Sequence, residues 1–333
     1  MIKSNWSPVA AGLLALSLFS LVLSLGFLSR SVELPRLSIA VSRTPLSAPI
    51  YVAAQKGFFR SQGVDIELRE VIGGHRSYTM MAKGEADLAT SSESVIMFQS
   101  FENSTFSVIA SFVSSDNDIK LITTTDSDLR SAYDLTDARI AVTRRSSSEY
   151  FLHSVALMHG IDTRSLQMQE TTPEQMSQQL QANTDIQALS LWEPYGYQVM
   201  KALGEQAVLL PTKGLHTTSF NLLAQKQTLE TQPQAVLATL RALDQAADFI
   251  QRDPAGAKAI MQRRLSLEPE FIEWVWPDYN FRLGLGQSLL ISLDNAARWA
   301  QLSGAIEPQP LPDYRNVLDN RFLRQMNPDA QDL

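Results

Sequence analysis

Between Gln55 and Ser94 the hydrophobic period changes repeatedly, from helical to alternating and back, with a turn or polar loop at each change. Ala53 to Phe59 is apolar at helical spacing, and Gly63 ends the turn that follows. Val64, Ile66 and Leu68 then alternate with Asp65, Glu67 and Arg69, the pattern of a strand with one buried face. Gly73-Gly74 permits a tight turn into a helix that starts near His75 or Arg76, and the first-turn amides of such a helix have no partner within it. Ala86 to Ala89 is a short apolar strand that runs into Thr90-Ser91-Ser92. Helix, strand, helix, strand in this order predicts an α/β chain whose small-molecule contacts lie at the carboxyl edge of a sheet.

The same stretch carries Gly57-Phe58-Phe59, Gly63-Val64-Asp65-Ile66-Glu67, Gly73-Gly74 and Gly84-Glu85-Ala86-Asp87-Leu88-Ala89, in that order. Each piece is common alone, but the order and spacing are specific. Together they resemble the nitrate/sulfonate/taurine-type substrate-binding proteins of ABC importers, which have the type II periplasmic binding fold. More of the pattern recurs downstream, in Arg139-Ile140-Ala141, in Gly160-Ile161-Asp162 and above all in Trp192-Glu193-Pro194-Tyr195. Two positions depart from the pattern: Asp137 stands where relatives carry glycine, and Arg145-Ser146 stands for a glycine-serine pair.

The resemblance implies an α/β protein of two lobes, each a mixed sheet flanked by helices, joined by two hinge crossings. Residues 34–124 and 217–333 would form the first lobe, the latter with bracing C-terminal helices, and 125–216 the second. It implies ligand contacts from the loop at Arg43 and Thr44, from Gly74, His75 and Arg76, and from Ser91 and Ser92 in the first lobe. The second lobe would add Arg145, Ser146, Ser147 and Ser148 at a helix start, with Trp192 and Glu193 at a strand end. The serines also suit plain helix capping, and Glu193 suits a helix start. Trp192 offers an apolar wall and one indole donor. Hydroxyl and amide donors dominate this set, which favours an oxyanion, sulfonate, carboxylate or carbonyl-rich ligand over a cation.

The remaining elements follow from period and punctuation. Leu37 to Val41, Phe106 to Val113, Ile119 to Thr125, Ile186 to Leu191, Ala207 to Leu210 and Phe220 to Ala224 read as strands. From Gln232 onward the chain reads as amphipathic helices. The aromatic group Trp274, Trp276, Tyr279 and Phe281 reads as packing, and the end from Pro308 as loosely attached. At the other terminus Val9 to Leu28 is uncharged, follows Lys3 and is long enough to span a bilayer. Residues 1–31 are therefore expected to be a signal peptide or an uncleaved membrane anchor, with the folded part periplasmic or otherwise extracytoplasmic.

Composition narrows the functions. A formal net charge of −7 disfavours a nucleic-acid partner. The absence of cysteine excludes disulfides, a cysteine nucleophile and thiolate metal sites. No paired-carboxylate, zinc or phosphate-loop motif is present. The expectation is a monomeric, non-enzymatic receptor without cofactor or metal, which closes on a small solute and delivers it to an ABC transporter permease. One alternative is a membrane-tethered ligand sensor with the same fold. Another is a relative of the thiamine-pyrimidine synthases, but their chemistry needs a cysteine-rich segment with iron.

Overall fold

The computed structural model describes residues 33–102, 105–182 and 185–327. The signal or anchor segment expected over 1–31 lies outside the described residues. Among the described residues, no helix is long and apolar enough to cross a membrane.

Strands are numbered in chain order: β1 Arg36–Ser42, β2 Asp65–Val71, β3 Leu88–Ser92, β4 Phe106–Ser115, β5 Ile119–Thr124, β6 Arg139–Val142, β7 Gln167–Glu170, β8 Ala188–Trp192, β9 Ala207–Leu209, β10 Thr218–Gln225 and β11 Tyr279–Asn280. They form a six-stranded sheet in the order β11-β4-β10-β3-β1-β2 and a five-stranded sheet in the order β7-β6-β8-β5-β9. In the first, β1 runs parallel to β2 and β3 while β10 is antiparallel to both β3 and β4. In the second, β6 runs parallel to β7 and β8 while β5 is antiparallel to β8 and β9. Each sheet thus holds three parallel strands beside one antiparallel strand that has just crossed from the other lobe.

The central strands are buried on both faces, and their side chains divide between two cores. Ile39, Leu88 and Leu222 face one side of the first sheet, and Ala40, Ala89 and Leu223 face the other. In the second sheet Ile140 and Ala188 face one core, and Ala141 and Leu189 face the other. Helices cover all four faces because a sheet buried on both sides needs an apolar layer on each. Asp87 explains one recurring piece of the sequence pattern: its Oδ2 accepts from Ser38 N and Ser38 Oγ, both at 2.7 Å, which ties the approach to β3 to its neighbour β1.

Several details differ from the sequence reading, each for a local reason. The helical stretch read through Ala53 to Phe59 belongs to two helices, Ala48–Gln55 and Phe58–Ser61, because Gly57 adopts φ 71 and ends the first. β5 is hydrogen-bonded into the five-stranded sheet, so the first crossing lies between Ser115 and Ile119 rather than after Thr124. Asp137 takes the left-handed φ of 62 that glycine would favour, and β6 follows intact. From Pro308 to Asn327 the chain is packed rather than loose: Tyr314, Val317 and Phe322 are buried, and Leu318 bridges to Val108.

Tyr314 is 1% exposed, so truncating it should leave a cavity. Tyr314→Ala is expected to cost about 3–5 kcal/mol, read from the urea midpoint at unchanged slope. A loss below about 1 kcal/mol would mean that the end does not brace the first lobe.

Candidate functional site

Carboxyl ends of parallel strands from both sheets converge on one cavity of about 530 Å³. Ser42 at the end of β1 and Thr44 just after it, Gly73 after β2 and Ser92 at the end of β3 form its first-lobe side. Thr143 after β6, Thr172 after β7 and Trp192 at the end of β8 form the second-lobe side. Leu46, Ile72, Val95, Phe98 and Phe220 give it apolar wall as well.

Two helices begin at its edge. The helix Gly74–Ala82 has Gly73 as N-cap at φ 84, and no side chain caps its first turn. Gly74 is needed here for space, since a Cβ would come within 2.8 Å of Ser91 Oγ and 3.1 Å of Ser91 Cα. Arg76 lies exposed in that first turn at the cavity, with no ion pair among the described residues. The helix Ser147–Met158 is instead capped by its own side chains: Ser146 Oγ accepts from Ser148 N at 3.2 Å. Glu149 Oε2 accepts from Arg145 N at 2.5 Å, while Glu149 Oε1 lies 3.0 Å from Arg144 Nη1. Arg145 itself sits at φ 53, a conformation that costs a non-glycine residue about 1 kcal/mol.

Across the cleft the lobes touch through hydroxyls. Ser147 Oγ is 2.7 Å from Ser94 Oγ and 3.3 Å from Ser92 Oγ, and Arg145 Nη2 pairs with Glu102 Oε1 at 2.9 Å.

The fold that encloses this cavity, two α/β lobes that exchange antiparallel strands, is matched by the comparisons with known proteins. The sequence pattern described as NMT1/THI5 like matches residues 44–257, well over half of the chain. The chain belongs to the NMT1/THI5-like family. Its fold is that of the two-lobed periplasmic binding proteins. It is similar to the periplasmic aliphatic sulphonate-binding protein SsuA of Escherichia coli, with TM-score 0.76 and 15% identity, covering 86% of this chain and 93% of that one. It is also similar to the alkanesulfonate-binding protein SsuA of Xanthomonas axonopodis pv. citri bound to MOPS, with TM-score 0.73 and 19% identity, covering 87% and 100%. A point mutant of DszB in complex with biphenyl-2-sulfinic acid is similar at TM-score 0.64 and 13% identity, covering 88% and 99%. No curated protein sequence matches the chain.

In this NMT1/THI5-like chain the cavity brings together Thr44, Gly74, His75, Arg76, Ser92, Arg145, Ser146, Ser147 and Trp192 of the residues singled out from sequence. Four others lie outside its lining. Arg43 is drawn to Glu70, at 2.5 Å. Ser91 is fully buried and donates to Gly74 O. Ser148 is buried beneath Thr143, whose N donates to its Oγ at 3.1 Å. Glu193 turns into the hinge, where its Oε1 accepts from Trp274 Nε1 at 2.8 Å and its Oε2 from Tyr197 N at 2.8 Å.

The hinge holds residues that the sequence reading missed. Lys120 is 1% exposed; its Nζ lies 3.9 Å from Glu193 Oε1 and 3.8 Å from Asp278 Oδ2, and donates to Asn117 O. Asp118, 4% exposed, borders the cavity, and its Oδ1 accepts from Tyr279 Oη at 2.7 Å. Two members of the aromatic group expected to serve only packing, Trp274 and Tyr279, therefore hold hinge carboxyl groups. Acids and a lysine flanking a short loop between two strands were the available signal; it points to the crossing only once β5 is placed in the second sheet.

Burial pushes the Asp118 carboxyl up to about 7, although the Tyr279 bond and Lys120 oppose the rise. A carboxyl that holds its proton more tightly folded than unfolded contributes stability below its ordinary 3.8, and loses that contribution as pH rises through about 7. Asp118→Asn should therefore gain stability relative to wild type between pH 5 and pH 8, measured by urea denaturation without ligand. A difference that stays constant over this range would refute the assignment.

Proposed function

We propose that the chain is the extracytoplasmic solute-binding protein of an ABC importer, and that it closes on a small anionic organic solute of the sulfonate type. The observation that carries this reading is the first-lobe edge of the cavity. There an uncapped helix start and Arg76, without an ion pair among the described residues, face a space that Ser92 and Ser147 border from opposite lobes. Helix-start amides and a guanidinium suit an oxyanion, and the hydroxyls suit its remaining lone pairs. The apolar wall from Ile72, Val95, Phe98 and Trp192 suits an organic tail.

The sulfonate-binding proteins of similar fold agree with this solute class, and their role supports delivery to a membrane permease. A receptor rather than an enzyme is favoured by the chemistry present. The chain has no cysteine, and its buried hinge carboxyl groups are engaged by Lys120, Trp274, Tyr197 and Tyr279. The domain limits proposed with this reading place the second lobe between the two crossings, the first of which ends at β5.

A thermal-shift screen against alkanesulfonates, nitrate, bicarbonate and pyrimidines tests it. A sulfonate at about 100 times its Kd should add about 2.7 kcal/mol of stability. Trp192→Ala and Arg76→Ala should each abolish most of the shift while leaving the ligand-free melting temperature near that of wild type. No shift with any anion, or unchanged shifts in both variants, would overturn the reading.

A further inference from the structure

We infer that Arg145 is a specificity-determining residue: its side chain lies as a strap between the lobes at one end of the cavity and sets how long a solute tail can be. The inference deepens the proposed function and rests on it, since it takes the anion to be held at the other end, beside Arg76.

The cavity follows one face of a helix. Val95, Phe98, Gln99 and Glu102 line it from the helix Glu93–Glu102, at steps of three and four residues. At about 1.5 Å of rise per residue, the face from Val95 to Glu102 is about 10 Å long. It starts beside Ser92, at the end of β3, and passes from apolar Val95 and Phe98 to polar Gln99 and Glu102. A tail that leaves an anion near Ser92 and Arg76 therefore meets apolar wall first and Glu102 last.

At Glu102 the second lobe reaches over. Arg145 Nη2 pairs with Glu102 Oε1 at 2.9 Å, and the guanidinium carbon lies 5.4 Å from the centre of the Phe98 ring. Arg145 N donates to Glu149 Oε2 at 2.5 Å, so the residue is tied by its backbone to the second lobe and by its tip to the first. Its φ of 53 would suit glycine better, but glycine has no side chain with which to reach Glu102. The contacts of the side chain are what offset that strain.

The paired guanidinium leaves the anion to Arg76, and Arg145 acts through its bulk and through joining the lobes. A tail that reaches Glu102 must push the arginine aside, and one of the few contacts across the cleft goes with it. Long tails are penalised by the displacement and again by weaker closure, whereas short tails leave the strap in place.

Calorimetry on the full-length protein with ethane-, butane-, hexane- and octanesulfonate tests the strap. Each buried methylene adds up to about fourfold in affinity. In wild type the rise should stop before octanesulfonate. In Arg145→Gly it should continue, so that the ratio of octanesulfonate to ethanesulfonate affinity exceeds the wild-type ratio at least about tenfold, the worth of about two further buried methylenes. Glu102→Gln keeps the arginine but frees its tip, and should raise the ratio by less. If Arg145→Gly folds poorly, Arg145→Asn gives the same reading, since asparagine tolerates the left-handed backbone and is too short to reach Glu102. A ratio that is unchanged or lower in these variants, or a wild-type affinity that already rises through octanesulfonate, would overturn the strap and leave the anion site standing. Failure of every sulfonate to bind wild type would overturn the anion site and the strap with it.

Discussion

Lys120 lies almost without contact with water, and the crossing between the lobes is assembled around it. It projects from β5, the strand that has just entered the second sheet. Its carboxyl neighbours come from the turn after β8 and from the segment before β11 in the first sheet. At about 4 Å and an effective dielectric near 20, each attraction is on the order of 4 kcal/mol. Desolvating each ion costs several kcal/mol, so the cluster adds little net stability. What it supplies is position. An ammonium with fixed partners on two lobes admits few arrangements of the crossing, and Trp274 and Tyr279 hold the carboxyl groups that define them. The aromatic segment after residue 273 is thus part of the hinge, although it belongs to the C-terminal helical region.

From this fixed crossing the two cavity edges inherit different electrostatics. The helix Gly74–Ala82 keeps its first turn free of side-chain caps, with Arg76 beside it. The helix Ser147–Met158 is capped by Ser146, and Glu149 occupies both the Arg145 amide and the Arg144 guanidinium. Arg145 spends its own charge on Glu102 and lies over the Phe98 ring at 5.4 Å. Under the proposed function, an incoming anion is drawn to the first lobe. The second lobe then contributes hydroxyls and an apolar wall rather than charge. The departure at Arg145 fits this division: the position takes a left-handed backbone that suits glycine, but its amide faces a carboxylate of its own chain.

Much of this architecture was legible because it is written in local patterns. The alternation at Val64 to Arg69, the turn at Gly73-Gly74 and the helix over 233–252 are set by period and punctuation, and they stand where those signals put them. The cavity loops followed from the same logic, since parallel strands place their carboxyl ends together. Short or cross-lobe features were not legible. β7 and β11 are four and two residues long and carry no alternation of note. Arg43 and Glu193 have the right chemistry for a ligand but are taken by Glu70 and Trp274, partners far away in sequence. The family pattern marks Glu193 as part of a signature; the structure shows that residue working in the hinge, one position past the cavity wall at Trp192. Asp118 escaped because only long-range topology makes it part of the cavity.

Two classes of contact join the lobes, and their difference decides how such a molecule can respond to solute. On the hinge side the contacts are buried: the Lys120 cluster, and Tyr150 packed between His216 of the second crossing and Trp299 of the helix Gln287–Leu302, with ring centroids at 5.1 and 4.9 Å. At the cleft they are few: hydroxyl contacts from Ser147 to Ser94 and Ser92, and the exposed Arg145–Glu102 pair. Exposed pairs of this kind contribute about 0–1 kcal/mol, so the cleft edge alone holds the lobes together only weakly. A solute that touches Arg76 on one side and Ser147 or Trp192 on the other adds contacts available only when the lobes are close. Differential contact of this kind is the one way a ligand can shift the balance toward closure. The weakness of the cleft edge is therefore a condition of the proposed function: were those contacts as strong as the hinge, the lobes would stay together whether or not solute was bound.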